Sequence, residues 1–185
     1  MFKVVLPKTQ EELQKYYQFR YKVMCEELGH IPKNKNYIDI DSYDRHSLHL
    51  MVVDEANEVV ATTRVIYNSQ DGLPTLKYMK MDNSMYNSIP KAYTCELSRV
   101  FVDNKVRSPN NTKEIIYKLI AKIYIYTKRH DIKLFYAALE KNFIRLLKIL
   151  KINFKIIGDE GEFYGLRSPC IISKEEFFKY NPYIN

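Results

Sequence analysis

Three short segments put charged side chains into otherwise apolar surroundings. Arg20 is followed four residues later by Met24, and a polar stretch then carries Asp39-Ile40-Asp41-Ser42-Tyr43-Asp44. Arg64 interrupts the apolar run 61–66, and Glu96 and Arg99 punctuate Cys95-Glu96-Leu97-Ser98-Arg99-Val100-Phe101-Val102. Only eight of the 29 basic residues are arginine, so an arginine inside an apolar strand is there for its planar fork rather than for charge alone. Arg64 and Arg99 then need carboxylates beside them, because an unpaired buried charge is strongly destabilising. One use of such a set is structural: Asp41, Asp44 and Glu96 pair with the arginines and pin the long loop. The other is functional: the same network shapes a polar pocket. The two uses are compatible.

Other reactive side chains offer less. Cys25, Cys95 and Cys170 are odd in number and widely spaced, which fits neither a disulfide framework nor a metal knuckle. Each reads as a buried or half-buried thiol. His46 and His49 flank the start of a strand without metal-ligand spacing, so no metal site is expected. His30 reads as a surface loop residue.

The elements that must position these residues follow from periodicity. Residues 2–6 read as a short strand. Thr9 and Glu12 form a capping box, and Leu13, Tyr16, Tyr17, Phe19, Arg20, Val23, Met24 and Leu28 recur at helical spacing up to Gly29. After a polar loop over 30–46, residues 48–53 and 59–67 read as an antiparallel hairpin. Residues 69–87 are irregular with room for one short helix, and 93–102 form the next strand. Asn111 with Glu114 predicts the cap of a long helix ending near residue 130, buried along Ile115, Ile116, Leu119, Ile120, Ile123, Tyr124 and Thr127. Residues 133–139 scarcely alternate, as expected of a strand covered on both faces. A helix over 142–151 and strands at 154–157 and 170–172 follow. The order predicts one α/β (α+β) domain over residues 1–185, a mixed central sheet flanked by helices, with the two late helices as crossovers.

In this order and spacing, Arg20 and Met24, the Asp41 and Asp44 pair, Arg64 and Glu96-Leu-Ser-Arg99 together resemble the acyl-homoserine-lactone synthases and their relatives, the bacterial N-acyl amino acid synthases, of the GNAT-type acyltransferase fold. Ala137-Ala-Leu-Glu140, the helix with Arg145, and Ile156-Ile-Gly158 leading to Tyr164-Gly-Leu-Arg167-Ser-Pro169 resemble the N-acyl amino acid synthase branch. The similarity covers roughly residues 15–172. It implies a central strand splayed from its neighbour, with the thioester arm of acyl-CoA, or of acyl-phosphopantetheine on acyl carrier protein, lying in the gap. The acyl oxygen would meet backbone N–H groups at Val100 and Phe101, just after Arg99. Glu96 would take a proton from the acceptor amine, directly or through water. Arg99 and Arg64 would orient carboxylates, either those of the Asp41 and Asp44 loop or the substrate's own, and Arg20 would complete that acceptor wall. Phe101, Val102, Arg107 and Lys113 would hold the donor.

The chain departs from the family at three places. The stretch before the long helix, Arg107-Ser-Pro-Asn-Asn-Thr112, lacks the glycines whose N–H groups cradle a pyrophosphate, and Pro109 removes one donor. That favours a carrier-borne donor, with Arg107 and Lys113 replacing backbone contacts. Where many relatives place a tyrosine that protonates the leaving thiolate, this chain has Ile149, so no general acid is assigned. Homoserine-lactone synthases carry a tryptophan after the first helix, whereas this chain has His30 there and no tryptophan at all. An amino acid or related small amine is therefore the expected acceptor rather than S-adenosylmethionine.

Length and composition fit this reading. The 185 residues suffice for one domain, and 46% hydrophobic with 28% charged residues is ordinary globular composition. The net charge of +7 favours an acidic partner, with nucleic acid, anionic lipid, nucleotide phosphates and an acidic carrier protein all compatible. Lys105, Arg107, Lys113, Lys118 and Lys122, with Lys141, Arg145, Lys148 and Lys151, would suit an acidic acyl carrier protein. Without a helix-turn-helix, zinc or RNA-binding signature, nucleic acid is the less favoured partner, and peripheral membrane contact stays open. A lipid-forming N-acyltransferase of the ornithine-lipid type is the next reading, ahead of a small-molecule acetyltransferase. No secretory leader or membrane-spanning stretch is read in the sequence, which makes the cytoplasm the expected compartment.

Overall fold

A computed structural model describes residues 1–67, 69–81 and 90–184. Its strands are β1 (Lys3–Val5), β2 (Ser47–Val53), β3 (Val59–Tyr67), β4 (Thr94–Val102), β5 (Leu134–Leu139), β6 (Lys155–Ile156), β7 (Gly161–Glu162) and β8 (Leu166–Ser173). Its α-helices are α1 (Gln10–Tyr21), α2 (Pro74–Tyr78), α3 (Pro109–Thr127), α4 (Lys141–Ile149) and α5 (Lys174–Phe178). The sheet runs β1-β2-β3-β4-β5-β8-β6, with β7 hanging on β8. The β4–β5 pair is parallel and joined through α3, and the remaining described pairs are antiparallel.

The period of two sorts each strand into two faces. Leu50 and Val52 of β2, Val65 of β3, Cys95 and Leu97 of β4, and Phe135 and Ala137 of β5 join one core with Ile115, Leu119 and Ile123 of α3. The alternate residues face the other way: Met51 and Val53 pack on Tyr16 of α1, while Ile66 and Tyr136 pack on Tyr43 and Leu73. Arg64, Glu96 and Ser98 share the parity of Ile66 and Tyr136, so they emerge on the α1 and α2 side. Register agrees, with Ile66 opposite Glu96 and Arg64 opposite Ser98.

The capping box at α1 is present: Thr9 Oγ1 accepts from the Glu12 N–H at 3.2 Å, and Glu12 Oε2 accepts from the Thr9 N–H at 3.0 Å. The α3 cap differs from the expectation. Ser108, not Asn111, is the N-cap, accepting the Asn111 N–H at 3.2 Å, and Pro109 is the first helical residue. Proline is preorganised for that position and its missing N–H has no intrahelical partner to lose. The helix α4 links β5 to β6, which run the same way with β8 between them. Of the irregular stretch 69–87, residues 74–78 form α2, and residues 82–87 lie outside the described residues. Gly158 is set by packing: a Cβ there would lie 2.1 Å from the Lys80 carbonyl oxygen.

Candidate active site

The end of α1 loosens into a π-helical turn, Lys22–Glu27, before Gly29 turns the chain with φ +64°. Wider turns of this kind re-aim side chains. Here Arg20 stays fully buried beneath the loop, and Met24 reaches the cleft beside β4. Arg20 binds Asp44 through both terminal nitrogens, at 2.6 and 3.2 Å, and Asp39 through Nε at 2.9 Å. Its guanidinium also lies 5.3 Å from the Tyr16 ring centre.

Arg64 and Arg99 complete the network. Arg64 Nη1 reaches Asp41 at 2.6 Å and Asp44 at 2.9 Å, while its Nε donates to Ser98 Oγ at 3.0 Å. Arg99 Nε reaches Asp39 at 2.7 Å and Nη2 reaches Asp41 at 3.3 Å, with the Tyr164 ring 5.0 Å from the guanidinium. Three guanidiniums thus balance three carboxylates, as burial at this depth requires. Burial by itself would raise the Asp44 and Asp39 carboxyls; Arg20 with Arg64, and Arg20 with Arg99, instead hold them below the ordinary carboxylate range. His49, packed on Tyr16 and 3.9 Å from Asp44, is pushed down to about 4 by burial, Asp44 opposing and Arg20 and Arg64 assisting.

Two irregularities open β4. Arg99 takes φ +54°, and the register against β3 slips between Thr62 and Arg64, so β4 carries a bulge. The Thr62 and Thr63 hydroxyls donate to the Arg99 and Ser98 carbonyl oxygens at 3.2 and 3.4 Å, which holds the distortion in place. On its other edge β4 pairs with β5 only at Thr94, Cys95 and Glu96. Beyond Glu96 the two strands part. The gap is a cleft of about 60 Å³ walled by residues 96–101 of β4, Ala138 and Leu139 of β5, and Phe143, Tyr164 and Arg167. Below it, toward α3, a cavity of about 40 Å³ is lined by Leu97, Val100, Ile116, Ile120, Phe143, Leu147 and Phe154. On the α2 side lies a pocket of about 490 Å³, walled by Asp41, Tyr43, Arg64, Tyr78, Phe163 and Tyr164.

Glu96 lines both the cleft and the α2-side pocket, as do Ser98 and Arg99. It is 1% exposed, and its Oε2 accepts the Thr75 N–H from the first turn of α2 at 2.8 Å. Burial pushes the carboxyl up to about 7, against the lowering effects of Thr75, Arg64 and Arg99. A carboxyl poised there exchanges protons near neutral pH. Neighbouring Cys95 is fully buried, and burial together with Glu96 raises its thiol well above the ordinary value, which makes it a core thiol rather than a nucleophile.

Arg20, Asp41, Asp44, Arg64, Glu96 and Arg99 are therefore brought together, with Val100 and Phe101 on the cleft wall. Val102, Arg107 and Lys113 do not line the cleft. Arg107 folds back to donate to the Val102 carbonyl oxygen at 2.7 Å, and Lys113 is exposed in the first turn of α3. His30 packs against Gly165, and Ile149 is 78% exposed. Asp39 was legible only as part of its acidic loop, yet it bridges Arg20 and Arg99. Thr75 gave no sequence signal, because it acts through its backbone.

The bulged central strand, its parting from β5 and the buried glutamate at the fork define an acyltransferase of the GNAT type. The chain belongs to the acetyltransferase (GNAT) domain family, whose model matches residues 19–116. Among solved structures it is similar to the acyl-homoserine-lactone synthase LasI, with 13% identity, TM-score 0.70, and 97% of this chain and 96% of that one covered. It is likewise similar to TofI in a ternary complex with an inhibitor and MTA, with 16% identity, TM-score 0.68 and all of both chains covered. The CoA-dependent acyl-homoserine lactone synthase BjaI, solved with SAM and isopentyl-CoA, gives 14% identity and TM-score 0.70, covering 100% of this chain and 89% of that one. No helix among the described residues is long and apolar enough to cross a membrane.

Proposed function

We propose that the protein moves an acyl group from a thioester, borne on acyl carrier protein or coenzyme A, to the amine of an amino acid or related small molecule in the cytoplasm. The observation that carries this reading is the parting of β4 from β5 just past Glu96, which leaves one buried carboxyl between a cleft and a polar pocket. The thioester arm lies in the cleft against Val100 and Phe101, and Val102, Arg107 and Lys113, which lie outside the cleft, meet the donor beyond its mouth. The amine sits in the α2-side pocket walled by Asp41 and Arg64, with Asp44 and Arg20 bracing that wall from behind. Its nitrogen attacks the acyl carbon and gives a proton to Glu96, while the carbonyl electrons move to an oxygen held by the Val100 and Phe101 N–H groups. Collapse of the tetrahedral intermediate re-forms the carbonyl and breaks the C–S bond. The thiolate leaves as the anion or takes its proton from water. Arg64 and Arg99 are engaged by the aspartate loop, so their orienting effect on the acceptor runs through that loop.

The acyl chain enters the cavity between β4, β5 and α3. A cavity of about 150 Å³ holds a benzene molecule. The 40 Å³ cavity here thus suits a short chain. The test is to incubate the protein with acyl-CoA and acyl-carrier donors of graded length and a pool of amines that includes amino acids and S-adenosylmethionine, and to identify the product by mass. An N-acyl amino acid supports the reading. An acyl-homoserine lactone, or no acylated amine, overturns it.

A further inference from the structure

Four buried side-chain polar atoms among the described residues have no hydrogen-bond partner: Tyr43 Oη, His49 Nδ1, Thr75 Oγ1 and Thr112 Oγ1. Buried polar atoms are nearly always paired, so each orphan asks for a reason. Three of the four belong to residues around the arginine–carboxylate site: His49 lies beside Asp44, Thr75 holds Glu96, and Tyr43 lines the α2-side pocket with Glu96. Of these three, Tyr43 is the one that lines that pocket.

Packing does not explain the Tyr43 hydroxyl. The residue is 6% exposed and its ring sits among Ile66, Leu73, Tyr136 and Ile157, where phenylalanine would serve as well and leave nothing unpaired. Its main chain is anchored where the N–H donates to Asp41 Oδ1 at 2.9 Å, and packing among those apolar side chains confines the ring. The Tyr78 hydroxyl is a neighbour without bonding geometry, and burial, then Tyr78 and Glu96, keep the phenol protonated at any working pH. A hydroxyl with its proton and lone pairs unused thus belongs to a residue that walls the same pocket as the proton-accepting carboxyl.

We propose that the Tyr43 hydroxyl is a binding group for the acceptor: it hydrogen-bonds the substrate while the reacting nitrogen lies against Glu96, and so selects amines that carry a polar group close to that nitrogen. This rests on the acyl-transfer reading above. The Tyr43→Phe variant tests it, using an acyl-CoA donor and the amine that the wild-type protein turns over best. Loss of one neutral hydrogen bond should raise the acceptor KM about 3- to 15-fold. The donor KM should stay unchanged and kcat within about twofold. The thermal midpoint of the substrate-free variant should equal or exceed that of the wild type, because an unpaired buried hydroxyl has been removed. A purely structural hydroxyl predicts the reverse pattern. An unchanged acceptor KM, or a lowered midpoint, overturns the role of Tyr43 while leaving acyl transfer intact. A wild-type protein that acylates no amine overturns the parent reading and this role with it.

Discussion

Replacing Glu96 with glutamine separates the chemistry of this carboxyl from its effect on the fold. Glu96 is 1% exposed and its pKa is raised by burial from 4.5 to about 7. The folded protein therefore keeps this proton to higher pH than the unfolded chain does. The stability associated with it is full below pH 4.5 and is lost as pH rises through 7. At about 1.4 kcal/mol for each pH unit between the two values, the loss approaches about 3 kcal/mol in mildly alkaline solution. Glutamine keeps the shape and an oxygen for the Thr75 N–H, but it never ionises. Glu96→Gln should thus match the wild type in stability at acid pH and exceed it increasingly from about pH 5 to about pH 8. Turnover should move the opposite way. Wild-type kcat/KM should climb as Glu96 ionises and level off above 7, whereas the variant should lose that limb and fall by about 10²- to 10⁴-fold. Urea unfolding at several pH values alongside a pH–rate profile reads both. A stability difference that is flat with pH would refute the burial argument, and turnover that survives the substitution across pH would refute the proton-transfer role.

Asp44→Asn leaves Arg20 and Arg64 buried without their shared partner, and should cost about 3–5 kcal/mol in urea unfolding. In the wild type, because Asp39 and Asp44 are held below their ordinary range, their stabilisation is full above 3.8 and lost as pH falls beneath it, which an acid unfolding series will record. Phe154→Ala enlarges the 40 Å³ cavity and should shift donor preference toward longer acyl chains in a graded acyl-CoA series, while a preference left unchanged would place the chain elsewhere. Lys113→Glu should weaken turnover with acyl carrier protein by about tenfold at low salt and leave a short pantetheine thioester unaffected, and equal losses would argue against docking there.

Much of this site could be read one residue at a time. An arginine in an apolar strand demands a carboxylate wherever it lies, so Arg64 and Arg99 announced partners, and the acidic loop was the obvious supplier. The α1 capping box, the hairpin and the apolar stripe of α3 followed from local spacing. Even there, the α3 cap moved from Asn111 to Ser108, since tertiary packing fixes which of several polar residues turns the chain. Asp39 was hidden among its neighbours because no local pattern says which carboxylate of three will meet which guanidinium.

Local sequence thus supplies an inventory: the faces of the strands, the three arginines, the glutamate, and the need for their charges to cancel. The arrangement that turns this inventory into a site comes from long-range contacts. The bulge at Arg99 depends on a register slip against β3, and the fork depends on β4 and β5 ceasing to pair after Glu96, both of them properties of two strands rather than one. The Thr75 N–H and the unpaired Tyr43 hydroxyl reach their positions through α2 and the acidic loop, distant in sequence from β4. The raised pKa of Glu96 arises from burial, which belongs to the whole fold and to no segment of it.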